Sequence, residues 1–299
     1  MLQSNIIEGD VLDVAKKVGI VDLVFCSPPY EDARSYGIKI SLKDQAWVDW
    51  AVPRFEACLA HCRGLVAWVI EGRTRNYKYS CTPMLFIADL HRRYINLRKP
   101  PIFHRIGIPG SSGPDWLRND YEFIVCATNG GRLPWSDSSI MGEPPVYGPD
   151  GLRSEAYLKN AGPDGRIRIT AVRGYFDGDI STQIVSYLPP KHVNPGNVLR
   201  HNVGGGKMGS RFSSRNEAPF PETLADFFVR SFCPPGGTVW DCFSGSGTTV
   251  TAALKAGRRA IASDIRSSQC QMTAQRRAEA AQEMELEAAR LDAQKENKS

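Results

Sequence analysis

Ile20-Val21-Asp22-Leu23-Val24-Phe25-Cys26-Ser27-Pro28-Pro29-Tyr30 is an apolar run that stops on two prolines. Its length and apolarity are those of a strand buried on both faces. Two consecutive prolines cannot continue a central strand, because neither donates a ladder hydrogen bond. The strand must end at Ser27, with a hydroxyl before a rigid turn and an aromatic ring, Tyr30, after it. Ligands of open parallel sheets bind at the carboxyl ends of the strands. Ser27, Pro28, Pro29 and Tyr30 are therefore candidate catalytic residues.

A second loop of the same kind lies far along the chain, at Asp241-Cys242-Phe243-Ser244-Gly245-Ser246-Gly247-Thr248-Thr249. Thr238-Val239-Trp240 reads as the strand before it, and residues 248–256 as a helix stopped by Gly257. Arg259 to Ser263 reads as the next strand, ended by Asp264. Gly245 and Gly247 let backbone approach a ligand without a Cβ in the way. A phosphate loop needs Gly-Lys-Ser/Thr, and no lysine follows Gly247; a dinucleotide fingerprint needs a third glycine where Val250 stands. A pyrophosphate ligand is disfavoured. Asp241 at a strand end suits an ammonium group, and Asp264 suits ribose hydroxyls. An ammonium, a ribose and no phosphate describe S-adenosyl-L-methionine. The plain alternative is a structural turn.

Working outward, the 299 residues suffice for one large α/β domain with an insertion, or for two domains. With 42% apolar and 23% charged residues the chain can bury a sizeable core and is not of the disordered class. The net charge is only +5, but ten cations stand against three acids between residues 61 and 118. Lys191, Arg200, Lys207, Arg211 and Arg215 stand against Glu217 between 191 and 217. Basic stretches flanking an insertion suit phosphate contacts, with an ordinary solvated surface as the alternative. The eight cysteines form no CxxC pair. Cys58 and Cys62 stand at helical spacing without a matching Cys/His pair, so no zinc site is expected. Cys26, Cys126 and Cys242 lie in apolar runs and read as buried free thiols, which suits a reducing cytoplasm. No signal peptide and no membrane span is expected.

Residues 5–30 read as strand, Gly9-Asp10 turn, short helix and strand. Residues 44–62 have helical spacing, with a boundary or kink expected near Pro53. Leu65 to Ile70 and Tyr121 to Ala127 read as strands, and 82–95 and 222–232 as helices. From about 130 to 216 Gly, Pro, Ser and Asn become dense and regular patterning fades, with Gly-Pro-Asp-Gly turns at 148–151 and 162–165. Gly204-Gly205-Gly206 reads as a flexible loop. The Ala/Glu/Arg/Gln-rich tail from about 275 is expected to be an exposed helix fraying into disorder.

Taken together, the chain resembles the amino-group DNA methyltransferases, which modify the exocyclic nitrogen of cytosine or adenine. The matching pieces are Ser27-Pro28-Pro29-Tyr30, Asp241 through Thr249, and Glu217-Ala218-Pro219-Phe220-Pro221-Glu222-Thr223-Leu224. Cys242 departs from the proline common in the family. The resemblance covers roughly residues 5–128 and 216–275. The catalytic tetrapeptide precedes the cofactor loop, which looks like the β-type motif order. It implies an α/β, doubly wound, mostly parallel Rossmann-like methyltransferase sheet with an irregular inserted recognition region. The implied division is a discontinuous core (1–128 and 217–275), a target recognition region (129–216) and a helical or disordered tail (276–299).

The resemblance also implies roles. Ser27 Oγ and the Pro28 carbonyl would accept hydrogen bonds from the target amine, in a loop fixed by the prolines. Tyr30 would stack on a base flipped out of double-stranded DNA. Asp10, Asp241, Phe243, Ser244, Gly245, Ser246, Gly247, Thr248 and Asp264 would hold S-adenosyl-L-methionine. Serine before Pro-Pro-Tyr favours N4-cytosine over N6-adenine. No Pro-Cys dipeptide supports ring-carbon methylation through a cysteine nucleophile. Methylation of an amine in RNA or protein, and a non-catalytic DNA-binding module, are the competing readings. A restriction endonuclease counterpart and the choice of monomer or homodimer stay open.

Overall fold

The computed structural model describes residues 4–32, 42–107, 112–176, 179–204, 206–215 and 219–296. Glu217, Ala218 and Gly205, named above, lie outside them. The first part of the chain runs β1 (Ser4–Glu8), α1 (Val11–Ala15), β2 (Val21–Cys26), α2 (Asp44–Ala60) and β3 (Cys62–Ile70). A two-stranded ribbon, β4 (Thr74–Arg75) and β5 (Lys78–Tyr79), leads to α3 (Thr82–Arg92), β6 (Asn96–Leu97), β7 (Ile102–Ile106) and β8 (Tyr121–Thr128). Next come α4 (Ser154–Asn160), β9 (Ile167–Phe176), β10 (Asp179–Tyr187) and β11 (Val198–Asn202). The last part is α5 (Glu222–Phe232), β12 (Thr238–Asp241), α6 (Thr248–Lys255), β13 (Arg259–Asp264) and α7 (Ser267–Glu296).

Nine strands form the main sheet in the order β1-β13-β12-β2-β3-β8-β7-β11, with β6 paired to β8. β1, β13, β12, β2 and β3 are mutually parallel; β8 runs against both β3 and β7. β2 is central because every residue in it is buried. Val21, Val24 and Cys26 face one apolar layer, with Trp47, Val52 and Phe55 of α2 and Phe86 of α3. Leu23 and Phe25 face the other, with Leu224 and Phe228 of α5 and Val250 of α6. Phe25 stacks on Phe228 at 4.6 Å between ring centroids. Asp22 survives inside this strand because Thr238 N donates to it (2.8 Å) and Arg63 pairs with it (2.6 Å).

The register brings distant segments together. β12 lies beside β2 with Val239 opposite Leu23 and Trp240 opposite Val24. From this seam the chain crosses over in opposite directions, β2 through α2 to β3 and β12 through α6 to β13. Such a switch point opens a crevice at the carboxyl edge of a doubly wound sheet.

Several expectations need correction. α2 runs unbroken through Pro53. The lost amide is outweighed by a buried face that includes Trp47, Val48, Ala51, Val52, Phe55 and Leu59. Cys58 and Cys62 do not share a helix; Cys62 opens β3. The second compact unit is 138–195, narrower than the 129–216 stretch, because β11 pairs in parallel with β7 and belongs to the main sheet. That unit is not wholly irregular: it holds α4 and an antiparallel β9–β10 hairpin. The tail is helical to Glu296, and its first turns are not exposed. Gln269, Thr273, Arg276 and Ala280 are buried at helical spacing.

Candidate functional site

Along the carboxyl edge the strand ends present Asp10, Asp264, Asp241, Ser27 and Glu71 in sheet order, and Glu122 enters at the start of β8. The seam between β12 and β2 divides them into two halves. Cys26 and Cys242, the last residues before each loop opens, touch at 3.3 Å between sulfurs. Thr249 Oγ1 donates to the Phe25 carbonyl (3.3 Å), tying α6 to β2.

In the half built on β2, β3 and β8, side chains fix the loop. Trp47 Nε1 donates to the Pro29 carbonyl (2.8 Å). That leaves the Pro28 carbonyl without an intrachain partner among the described residues. Ser27 Oγ lies 3.1 Å from the Val69 carbonyl and 3.3 Å from the Tyr30 hydroxyl. Val69 O can only accept, and the Tyr30 hydroxyl donates to Glu122 Oε2 (2.8 Å). The Ser27 proton is thus directed inward, and its lone pairs can accept from an incoming N–H. Glu122 is buried and bridged on its other oxygen to Arg105 Nη1 (3.1 Å). Burial pushes its carboxyl up, while Arg105 and Tyr30 hold it down. Glu71 is also buried, next to the charge of Glu122, and its carboxyl is pushed up to about 7. Tyr79 donates to Glu71 Oε1 (3.2 Å), and Oε2 has no hydrogen-bond partner among the described residues.

In the half built on β12 and β13, backbone does most of the shaping. Ser244 N donates to the Ser263 carbonyl (2.9 Å) and Gly247 N to the Ser244 carbonyl (2.7 Å). Gly247 has φ +80°, and a Cβ there would lie 3.1 Å from Thr273 Cα. Both the conformation and the close approach disfavour a side chain. Asp264 Oδ2 accepts from Gly245 N (3.1 Å) and Oδ1 from Arg266 N (3.0 Å). Arg266 Nε also pairs with Oδ1 (3.4 Å), so Oδ2 is the oxygen that keeps a lone pair for another donor. Asp241 is buried, accepts from Phe243 N (3.2 Å), and forms no ion pair among the described residues. Burial pushes its carboxyl up to about 7, and Asp264 adds to the effect. An ammonium group beside Asp241 would stabilise its charged form. A buried acid lacking a cation, next to a loop with little room for a side chain, fits an amino-acid-bearing cofactor.

Other expected cofactor residues are held by the fold itself. Asp10 caps α1 through Leu12 N (2.9 Å) and pairs with Arg54 (2.7 Å), whose guanidinium lies over the Trp50 ring. Phe243 packs between Trp50 and Trp68. Ser246 and Thr248 turn towards the buried Arg276 of α7, Thr248 Oγ1 accepting at 2.8 Å. Arg276 in turn pairs with Glu222 (2.9 Å). Sequence reasoning missed Arg276, Glu71, Arg105 and Glu122. The one signal for Glu122 was a carboxylate inside an otherwise apolar strand, Tyr121 to Ala127.

A donor cradle and an acceptor loop meeting at one switch point define a group-transfer enzyme of the doubly wound methyltransferase class. The family model described as DNA methylase matches residues 21–275, and the chain belongs to that family. The chain is 26% identical over 262 residues to the orphan methyltransferase M.BamHII of Bacillus amyloliquefaciens, covering 86% of this chain and 88% of that one. Among solved structures it is similar to the PvuII DNA methyltransferase (cytosine-N4-specific). That match has a TM-score of 0.63 and 15% identity, over 91% of this chain and 85% of that one. TTHA0409 of Thermus thermophilus, solved with S-adenosyl-L-methionine, matches at TM-score 0.55 and 18% identity, over 93% and 94% of the two chains. The protein is an S-adenosylmethionine-dependent DNA methyltransferase acting on an amino group. Among the described residues no helix is long and apolar enough to cross a membrane.

Proposed function

We propose that this enzyme methylates the exocyclic N4 of cytosine at a fixed sequence in double-stranded DNA, after the base has been flipped from the helix. The observation that carries the reading is the inward-directed Ser27 hydroxyl, 3.1 Å from the Val69 carbonyl. A cytosine amine is a poor nucleophile because its lone pair is delocalised into the ring. Acceptors at Ser27 Oγ and the Pro28 carbonyl favour a tetrahedral nitrogen and localise that lone pair. They are preorganised by the two prolines and by Trp47, so little rearrangement is needed at reaction. Tyr30, held through its hydroxyl by Glu122, offers its ring to the flipped base.

S-adenosylmethionine supplies an electrophilic methyl group. Asp241 would take its ammonium, Asp264 its ribose hydroxyls, and the 243–247 backbone its flank. Holding amine and donor in line supplies much of the acceleration. Unit 138–195 is assigned the reading of the sequence, and cations beside the acceptor loop the phosphates. Not every cation is free for that: Arg63 and Arg105 are paired with the buried acids Asp22 and Glu122. No paired endonuclease is required, as the relative described as an orphan methyltransferase illustrates.

The test exposes unmodified duplex DNA to the purified enzyme and cofactor. Nucleoside mass spectrometry then identifies the modified base, and single-molecule sequencing its context. N4-methylcytosine in one recurring sequence is expected. N6-methyladenine alone would overturn the base assignment, and modification of RNA but not duplex DNA would overturn the substrate.

A further inference from the structure

The ribbon β4–β5 closes through two residues, Asn76 and Tyr77, with Arg75 paired to Lys78. Both closing residues have positive φ, +47° and +63°. This is the type I′ geometry, for which Asn-Gly is the favoured pair. Asn76 suits its position. A tyrosine in the next one is strained, and its ring gains no burial in return: Tyr77 is 71% exposed. Strain at an exposed aromatic tip points to a use outside the folded chain.

The tip is tied to the acceptor half of the edge. β3 delivers Glu71 and then the ribbon, whose Tyr79 donates to Glu71 (3.2 Å). The loop between β7 and β8 leaves the same edge and brings Trp116 against Tyr77, edge to face, at 5.5 Å. The Trp116 ring covers Gly113 so closely that a Cβ there would be 2.2 Å away. Leu117 beside it is 92% exposed. Residues 73–79 contain Arg73, Arg75 and Lys78 and no acid. Arg73 and Arg75 also bond to Asp32, just beyond the catalytic tetrapeptide, which fixes the ribbon against that loop.

We infer that Tyr77, backed by Trp116, is a wedge that enters the DNA base stack and fills the space vacated by the flipped base, with Lys78 on a flanking phosphate. This rests on the base-flipping reading above. The chemistry matches: an aromatic face replaces the lost stacking partner, and inserted side chains open base steps. Cations around the ring suit the polyanion at the entry point. The strain at Tyr77 is the cost of displaying the ring at the tip of a rigid hairpin.

The experiment compares wild type, Tyr77→Gly and Tyr77→Trp in single-turnover methylation of two duplexes. One has the target base correctly paired, and the other has it mispaired. Glycine relieves the turn, so Tyr77→Gly should melt no lower than wild type and bind cofactor equally. On the paired duplex its rate should fall by about tenfold, because the wedge no longer offsets unstacking. On the mispaired duplex it should return to within about twofold of wild type, and Tyr77→Trp should keep most activity on both. Equal rates for wild type and Tyr77→Gly on the paired duplex would overturn the wedge. So would an equal loss on both duplexes. Wild type that methylates neither duplex would instead overturn the underlying DNA reading.

Discussion

The two halves of the sheet edge solve different problems with different parts of the chain. On the side proposed for the cofactor, β12 and β13 end in a loop shaped by backbone: Gly247 has φ +80° and leaves a Cβ little room, and amides of Gly245 and Ser244 are bonded to the next strand's end. On the acceptor side, β2 ends in prolines, and the shaping is done by Trp47, Val69, Tyr30 and Glu122. A cradle must come close to its ligand, which favours bare backbone. A catalytic acceptor must aim a lone pair, which favours a side chain held from several directions. The unpaired charge follows the same division: Asp241 lacks a cation, whereas Glu122 already has Arg105.

The sharpest way to break this comparison is Ser27→Ala. The acceptor side should lose the single-turnover rate by about 10²–10³-fold, the scale for removing one preorganised polar group at a reacting centre. Cofactor affinity, measured by calorimetry, should stay within about twofold. Equal losses in both would erase the division of labour. Next in size is Asp264→Ala, which should weaken cofactor binding by about 10–100-fold, as for a lost hydrogen bond to a charged group. Duplex binding in a gel-shift assay should be unchanged.

The smallest effect concerns pH. Asp241 has an ordinary value of 3.8 and is pushed up to about 7 in the fold. Below its ordinary value the group is neutral whether folded or unfolded. As pH rises from there to about 7, the unfolded chain ionises while the folded one resists, and stability is lost. Asp241→Asn cannot ionise, so without cofactor it should gain on wild type across that window, more at its upper end than at pH 5. Thermal melts at pH 5 and pH 8 would read this. Cofactor should reverse the ranking, because it supplies the cation that wild type lacks.

Much of this edge was legible in the sequence because its decisive signals are local. Strand stops at Pro28 and Asp264, the glycines of 245–247, and a helix beginning at Thr248 need no long-range partner to be read. What escaped depends on pairing. Val198-Leu199-Arg200-His201-Asn202 becomes a strand only beside β7, and its Gly- and Pro-dense surroundings hid it. Pro53 suggested a break because its missing amide is visible in sequence, while the buried face that overrides it is not. Ser246 and Thr248 read as ligand contacts because Arg276, their partner, sits 30 and 28 positions away in a polar tail. Glu71 and Glu122 went unassigned because nothing local marks them as buried neighbours.

The thiols described above have a practical use. Six of the eight cysteines are buried and a seventh, Cys270, is partly covered, leaving Cys81 exposed. Burial holds the thiols of Cys26, Cys62, Cys126 and Cys233 up at about 12, and raises Cys58, Cys242 and Cys270 as well. Alkylating reagents act on thiolates, so a maleimide dye near neutral pH should attach almost entirely at Cys81. That residue opens α3 directly after the β4–β5 ribbon. The native chain therefore carries a ready labelling point at the foot of the hairpin. A fluorophore there can report the approach of DNA in real time, without mutating any other residue.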